Sequence, residues 1–224
     1  MRVAVFDLDG TITRHDTLWP YLRGWAQLHP RPGFWPRVVA ALVPFAADLD
    51  RGRLKSRLIR IAMGGASRSD VRAWSAAYVA ALGEAELCPG ALAQIAQHHA
   101  AGDRLVLLSA SVDLYVPEIG RRFAFDEAIC TQVAWAGDQL DGALASENRR
   151  AAEKRRCVES LRTRHPGAWF VAYGNARSDF DHFAVADEAI LVNAGPGLRR
   201  EAASRGYSVA EWRNKTRAAP VQSA

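Results

Sequence analysis

The fold is decided near the start of the chain, by the stretch RVAVFDLDGT at residues 2–11. Its apolar run, residues 3–6, is typical of a strand that is buried on both faces. Two carboxylates, Asp7 and Asp9, follow at the end of that run. In an open α/β sheet the ligand crevice lies at the carboxyl ends of the strands. Because Gly10 allows a sharp turn, both carboxylates can face one pocket although they alternate along an extended chain.

The bulk composition indicates a globular protein of a reducing compartment. A length of 224 residues fits one domain with an insertion. No secretory signal is expected, because Asp7 ends the first apolar run after only four residues. The three cysteines are far apart and odd in number, which argues against a disulfide framework or a thiolate zinc site. We therefore expect a cytoplasmic protein.

The net charge of +5 is concentrated in one segment, residues 14–86, which holds eleven Lys and Arg against six Asp and Glu. A basic surface attracts anions such as phosphate substrates, acidic lipid headgroups or nucleic acid. No nucleic-acid-binding motif accompanies this segment, so nucleic acid is not an expected partner.

Apolar residues recur at helical spacing between residues 16 and 83, which predicts an insertion of three to five helices. Within it, residues 38–49 are nearly uncharged and too short to span a bilayer, which takes ~20 residues. Two interpretations remain open. The stretch is either a helix buried inside the insertion, or a surface that dips into a membrane while nearby cations meet headgroup phosphates. Those cations are Arg31, Arg37, Arg51, Arg53, Lys55, Arg57 and Arg60.

From residue 88 onward, strand and helix patterns alternate. We predict helices over 90–101, 112–123, 151–163 and 198–204, strands over 104–108, 127–131, 168–172, 189–192 and 207–209, and a hairpin within 132–144. This alternation predicts an α/β fold with a mostly parallel, Rossmann-like sheet and right-handed crossovers. Polar residues follow several of these strands, which predicts a site along one sheet edge.

These residues at these strand ends resemble the haloacid dehalogenase (HAD) superfamily over essentially the whole chain. Residues 7–11 match its first motif and Ser109 its second, while Lys154 is similar to its third. Residues 174–179 are similar to the fourth motif. The helical insertion resembles a C1-type cap. Within the superfamily the chain is most similar to the phosphoserine-phosphatase-like branch, which also holds bacterial phosphatidylglycerophosphate phosphatases.

The resemblance implies a division into domains. Residues 1–14 and 87–212 would form the α/β core, and residues 15–86 the helical cap. Residues 213–224 would form a polar C-terminal tail.

The resemblance also implies a Mg²⁺-dependent phosphomonoester hydrolase. Asp7 is the candidate nucleophile, which would form an aspartyl phosphate that water then hydrolyses. Asp9 is the candidate general acid and base, since a phosphate ester needs a proton for its leaving oxygen. The expected phosphate-binding residues are Gly10, Thr11, Ser109, Ala110 and Lys154.

The metal site implied by the family uses the Asp7 carboxylate, the Asp9 backbone carbonyl and an acid of the fourth motif. Mg²⁺ suits such oxygen ligands. This chain has Asn175 where the family commonly has Asp, and an amide oxygen supplies no charge. Asp179 would then carry more of the metal binding, either directly or through an intervening water. Which of Asn175 and Asp179 is the direct ligand stays open.

The substrate is expected to be a phosphorylated small molecule or a lipid headgroup. One alternative is a membrane-peripheral phospholipid phosphatase that acts on a phosphatidylglycerophosphate-like substrate. Another is a phosphoester-binding protein with weakened catalysis, which only Asn175 favours. We interpret Asp181 as polarity at a helix N-terminus, and His98 and His99 as solvated residues at a helix end.

Overall fold

A computed structural model describes residues 1–213, apart from the side chain of Asp48. Within them the strands are β1 (Arg2–Phe6), β2 (Arg104–Val112), β3 (Glu127–Thr131), β4 (Val133–Ala136), β5 (Gln139–Leu144), β6 (Trp169–Gly174), β7 (Glu188–Val192) and β8 (Ser208–Ala210). Six of these strands form one parallel sheet in the order β3-β2-β1-β6-β7-β8. The other two, β4 and β5, form an antiparallel hairpin. The predicted parallel α/β sheet and the predicted hairpin are confirmed.

The first strand is buried on both faces, as its apolar run predicts. Ala4 and Phe6 belong to the larger hydrophobic cluster on one side of the sheet, and Val3 and Val5 to a second cluster on the other. All four side chains are fully buried. Because β1 lies between β2 and β6, the residues that follow it open at the centre of the sheet edge.

The helices of residues 1–213 are α1 (Leu18–Leu28), α2 (Phe34–Asp48), α3 (Arg51–Met63), α4 (Arg68–Ala81), α5 (Pro89–Ala100), α6 (Val116–Arg122), α7 (Ala152–Arg164), α8 (Phe180–Phe183) and α9 (Pro196–Ser204). A 3₁₀ turn, Arg177–Asp179, precedes α8. The first four helices lie between β1 and α5, so the predicted insertion of three to five helices is confirmed. The division into core and cap domains stays a prediction. Most of the predicted tail, from residue 214 onward, lies outside the described residues.

Backbone hydrogen bonds attach the helical insertion to the β4–β5 hairpin. The amide of Gly65 donates to the carbonyl of Leu140, and the amide of Leu140 donates to the carbonyl of Ala66, at 2.8 and 2.9 Å. Arg60 on α3 pairs with Asp141 on β5 at 2.8 Å. The hairpin therefore holds the insertion over the sheet edge where the polar residues lie.

Two predicted boundaries are wrong around β2. The strand runs to Val112 rather than ending at residue 108, because a register shift lets Val112 pair with Thr131 on β3. The following helix therefore begins at Val116 instead of residue 112, where Pro117 in its first turn favours a helix start.

The uncharged stretch forms most of α2, and its two faces differ. Its inner face packs into the insertion through Phe34, Val38 and Ala41. Its outer face is exposed. The interpretation as a buried helix therefore holds for one face only. Within residues 1–213, no helix has the length and apolar character needed to cross a membrane.

Candidate active site

The predicted site residues meet where β1, β2 and β6 end side by side. Asp7 follows β1 directly, and its amide donates to the carbonyl of Tyr173 on β6 at 3.0 Å. This bond continues the pairing of the two strands by one residue. The Asp7 carboxylate is thereby held on rigid backbone at the centre of the sheet edge, and only 7% of the residue is exposed.

One lysine joins two of the predicted acids. Lys154 Nζ lies 2.6 Å from Asp7 Oδ1 and 2.7 Å from Asp179 Oδ1, and all three side chains are buried. Burial raises the pKa of the Asp7 carboxyl to about 7 against the lowering effect of Lys154, and Asp179 and Asp9 raise it further. Although burial opposes its charge, the two carboxylates raise the pKa of Lys154 above its usual range. The lysine therefore stays an ammonium.

Asp179 is fixed by the backbone of its own loop. Its Oδ2 accepts hydrogen bonds from the amides of Asn175 and Ala176 at 3.0 and 2.9 Å. Burial opposes the charge of Asp179, but Lys154, His182 and the amide of Ala176 hold the pKa of its carboxyl below the usual range. A Cβ on Gly174 would come within 2.7 Å of Asp179, so the approach of this carboxylate to β6 requires glycine there.

Asp9 is held by a different set of donors. Its Oδ1 accepts the amide and the hydroxyl of Thr17, both at 2.7 Å, and its Oδ2 accepts the hydroxyl of Ser111 at 2.7 Å. The Thr17 hydroxyl also contacts the Tyr115 hydroxyl at 2.9 Å. Burial and, next, the nearby Asp16 raise the pKa of Asp9. The roles of Thr17, Ser111 and Tyr115 were not predicted, because these donors converge only when the insertion folds back on β2.

The backbone around Gly10 is packed against the fourth motif. Gly10 has φ of +80°, and a Cβ on it would lie 2.0 Å from Nδ2 of Asn175. Its carbonyl accepts a hydrogen bond from Asn193 Nδ2 at 2.8 Å. The turn after Asp9 thus requires glycine both for its conformation and for the approach of Asn175.

The other predicted phosphate-binding residues differ in how far they lie from the cavity. The Thr11 hydroxyl donates to Asp7 Oδ2 at 3.2 Å and is fully buried. Ser109 is also fully buried, and its hydroxyl accepts the amide of Ser111 at 3.0 Å. Ala110 and Ser111 line the cavity over Asp7, and Ser109 lies behind them in β2. A direct role of Ser109 in phosphate binding stays a prediction.

A second lysine enters the site from the insertion. Lys55 on α3 donates to the carbonyl of Ala110 and, at 2.6 Å, to Oδ1 of Asn148. Burial lowers the pKa of Lys55 to about 8. The sequence holds 26 arginines but only three lysines, Lys55, Lys154 and Lys215. This contrast is a signal that sequence reasoning could have used to find Lys55, since it and Lys154 line the same cavity.

The cavity over these residues has a volume of about 600 Å³ and two unlike walls. The core contributes acids, amides and cations. The insertion contributes the cations Arg51 and Lys55 and an apolar wall made of Leu18, Trp19, Leu22, Phe45, Leu54 and Leu58. The site therefore suits a ligand with an anionic end and a less polar body.

The oxygen donors of the site suit a magnesium ion by type. Asp7 and Asp179 offer buried carboxylates, and Asn175 lines the same cavity with a side-chain amide. In residues 1–213 no cluster of three or more His, Cys, Asp or Glu is arranged to hold a metal. This agrees with Asn at position 175, because the amide replaces what would be a further acid.

Of the remaining predicted residues, His98 requires a correction. It is 1% exposed, and its ring nitrogens contact Asp103 at 2.7 Å and the Tyr173 hydroxyl at 2.8 Å. The prediction that it is solvated is wrong, because α5 turns this face toward β6. His99 is exposed, and so is Asp181 in the first turn of α8, as predicted.

Comparisons with known proteins agree with this arrangement. The family model of haloacid dehalogenase-like hydrolases matches residues 4–183. Protein CicA of Caulobacter vibrioides is 31% identical over 189 residues, which cover 83% of each chain.

Many solved structures are similar in fold, including the following two. A protein of unknown function from Bordetella pertussis Tohama I has a TM-score of 0.79 at 21% identity, covering 93% of this chain and 97% of its own. A probable phosphoserine phosphatase from Vibrio cholerae has a TM-score of 0.71 at 16% identity, covering 94% of this chain and 61% of its own. Both agree with the predicted fold. With its motifs at the ends of β1, β2 and β6, the chain belongs to the haloacid dehalogenase-like hydrolase family.

Proposed function

We propose that the protein is a Mg²⁺-dependent phosphomonoester hydrolase that works through an aspartyl phosphate on Asp7. The observation that carries this proposal is the group of two buried carboxylates that share the Lys154 ammonium beside a third acid, Asp9. Asp7, an ion-paired acid at a strand end, suits the role of nucleophile. Asp9, which has its own hydrogen-bond donors, suits the role of proton carrier.

In the first half of the reaction, a carboxylate oxygen of Asp7 attacks phosphorus and the bond from phosphorus to the ester oxygen breaks. Asp9, in its protonated form, gives its proton to the departing oxygen. The raised pKa of Asp9 favours that protonated form. In the second half, water attacks the phosphorus of the aspartyl phosphate while Asp9 takes a proton from the water. Inorganic phosphate leaves and Asp7 is restored.

Lys154 supports this sequence by its position. As a fixed ammonium against Asp7, it offsets the negative charge that gathers when a carboxylate meets a phosphoryl group. Gly10, Thr11, Ser109 and Ala110 are the further residues that we propose around the phosphoryl oxygens. Ala110 and the turn at Gly10 line the cavity, where backbone donors would be able to reach an anion.

A magnesium ion, when bound, would supply positive charge between the nucleophile and the phosphoryl group. The residues that would hold it are Asp7, Asp179 and Asn175 through their side chains, and Asp9 through its backbone carbonyl. With two carboxylates and one amide, the site carries less negative charge than a site with three acids. We therefore propose weaker magnesium affinity than an Asp at position 175 would give.

We propose a phosphorylated small molecule or a lipid headgroup as the substrate. The phosphoryl group would lie on the core side and the organic part against the apolar wall of the insertion. The phosphoserine phosphatases among the similar structures make phosphoserine one member of the panel to be tested. Sugar phosphates, nucleotides and phosphatidylglycerophosphate complete the panel.

The test is the release of phosphate from para-nitrophenyl phosphate with and without magnesium. We expect magnesium-dependent release by the wild type, its loss in Asp7→Asn, and a ~10²–10⁴-fold slower rate in Asp9→Asn. Asp181→Asn is the matched control, because this exposed acid lies two residues after Asp179 and should retain activity. Mass spectrometry of acid-quenched enzyme should find one phosphoryl group on the peptide that contains Asp7. Activity in Asp7→Asn, or none in the wild type with any divalent metal, would contradict the proposal.

A further inference from the structure

The outer face of α2 is an apolar surface that no described part of the chain covers. Its large exposed side chains are Trp35, Val39, Leu42 and Val43, with relative exposures from 46% to 69%. They lie at positions i, i+4, i+7 and i+8 and so form one stripe along the helix. We call this stripe the α2 face. A helix that is apolar on both sides is normally buried on both sides, so this face calls for a partner.

The charges in the segment around the α2 face are mostly positive. Residues 31–60 hold seven Lys and Arg against two Asp. Arg37 in the first turn of α2 and Arg51 at the start of α3 are both exposed. An exposed apolar stripe within a segment of net positive charge is complementary to an anionic bilayer, where acyl chains lie beneath a layer of phosphates. A protein partner would have to combine an apolar groove with an acidic rim.

The α2 face is continuous with the catalytic cavity. Phe45, on the same helix, lines the cavity wall. Trp19 lines it as well, and its ring lies 6.2 Å from the ring of Trp35 on the α2 face. A surface that binds this face therefore lies next to the apolar side of the cavity.

We propose that the α2 face docks on the surface of an anionic phospholipid bilayer. Trp35, Val39 and Val43 enter the boundary between headgroups and acyl chains, and exposed arginines of residues 31–60 meet lipid phosphates. The helix lies in the plane of the membrane surface. If the proposed phosphatase activity holds, docking would bring the cavity next to lipid headgroups, which favours a lipid phosphomonoester within the proposed substrate class. The docking itself does not depend on that activity.

The experiment is co-sedimentation of the full chain with vesicles of phosphatidylcholine alone or mixed with phosphatidylglycerol. We expect binding to the mixed vesicles that weakens as salt is added, and little binding to phosphatidylcholine. Val39→Ser/Val43→Ser should lower the partition coefficient by about tenfold or more, because two apolar side chains are lost from the stripe. Val209→Ser is the matched control, since this valine is also exposed but lies on β8. It should bind as the wild type does.

A second readout does not depend on the double variant. Tryptophan fluorescence should shift to shorter wavelength when mixed vesicles are added, and Trp35→Phe should lose most of that shift. Hydrolysis of soluble para-nitrophenyl phosphate, measured on the same samples, reports on the catalytic site alone. The double variant should retain it.

Three results would overturn the docking proposal. The wild type could fail to bind mixed vesicles, or the double variant could bind them as well as Val209→Ser does. The third result is that the wild type does not bind vesicles but forms a dimer in size-exclusion chromatography, whereas the double variant is a monomer. The α2 face would then be an interface between copies of this chain. Normal hydrolysis with any of these results would leave the proposed phosphatase function in place.

Discussion

Gly10 and Asn175 are packed so closely that a Cβ on the glycine would lie 2.0 Å from the Asn175 amide nitrogen. Gly10→Ala must therefore displace Asn175, and it also places alanine at a φ of +80°. A displacement of this size at the reacting centre costs up to ~10²-fold in rate, so we expect kcat on an aryl phosphate to fall by at least tenfold.

Gly137→Ala is the matched control for this prediction. Gly137 also has a positive φ, +61°, but a Cβ there would meet nothing within 4 Å. Only the conformational strain remains, about 1 kcal/mol of unfolding free energy. We expect this variant to keep its activity. Equal activity losses in the two variants would mean that backbone strain, rather than Asn175, explains the effect.

Lys154→Met should abolish the phosphatase activity and lower the free energy of unfolding. Without the ammonium, Asp7 and Asp179 are left as buried acids without their ion-pair partner, a change that typically costs ~3–5 kcal/mol. Adding Asp7→Asn should restore part of that stability without restoring activity, because it removes one of the two unpaired charges. Urea denaturation of the single and double variants measures this. Arg155→Met, an exposed neighbour on α7, should change stability little.

Lys55→Met should weaken substrate binding more than it slows the chemical step. Lys55 holds the carbonyl of Ala110 and the side chain of Asn148, and it contacts neither Asp7 nor Asp179 by a hydrogen bond. We expect KM for the aryl phosphate to rise several-fold with a smaller change in kcat. Lys55→Arg should rescue little, because the planar guanidinium does not reproduce the ammonium geometry. A large loss of kcat at unchanged KM would place Lys55 in the chemical step instead.

His98 should make the protein less stable in mild acid. Burial lowers the pKa of His98 in the folded state, and hydrogen bonds to Asp103 only partly offset this. Above the unfolded-state pKa of ~6.5, neither the folded nor the unfolded state binds the proton, so protonation of His98 does not lower the free energy of unfolding. As the pH falls below that value, the unfolded state takes up a proton that the folded state binds less well. The free energy of unfolding should therefore decrease.

The measurement compares the wild type with His98→Gln in urea at pH 7.5 and 5.5. The charged groups that face the imidazole are Asp103, Arg2 and Glu188, and both proteins retain them. The free energy of unfolding of His98→Gln should be lower than that of the wild type at pH 7.5. It should decrease less than that of the wild type between pH 7.5 and 5.5. An identical pH dependence in the two proteins would exclude His98 as its source.

The sequence predicts most of the strands well, because their apolar runs are local patterns. The apolar run before Asp7 is continuous, and the six-stranded parallel sheet follows from strands that alternate with helices. The boundary after residue 108 was missed because hydroxyl residues resemble a turn. Only the pairing of Val112 with Thr131 on β3, across a register shift, reveals that β2 continues.

The donors around Asp9 could not be predicted from local patterns. Thr17 reaches Asp9 because the chain turns into the insertion, and Ser111 reaches it from β2, 102 residues away. His98 was misjudged for the same reason: its burial depends on Tyr173, which lies on β6, far along the chain. Side chains that join distant elements are visible only once the topology is known.

The scarcity of lysine gives the site a chemical signature. Biosynthetic labelling with ¹⁵N-lysine marks the three lysines and leaves the 26 arginines unlabelled. Apart from Lys215, the lysine signals come from the two ammonium groups that line the cavity. Lys154, held between two carboxylates, and Lys55, held by a carbonyl and an amide, have unlike surroundings, so their NMR resonances should separate. The cavity thus carries its own pair of spectroscopic reporters, Lys154 on α7 and Lys55 on α3.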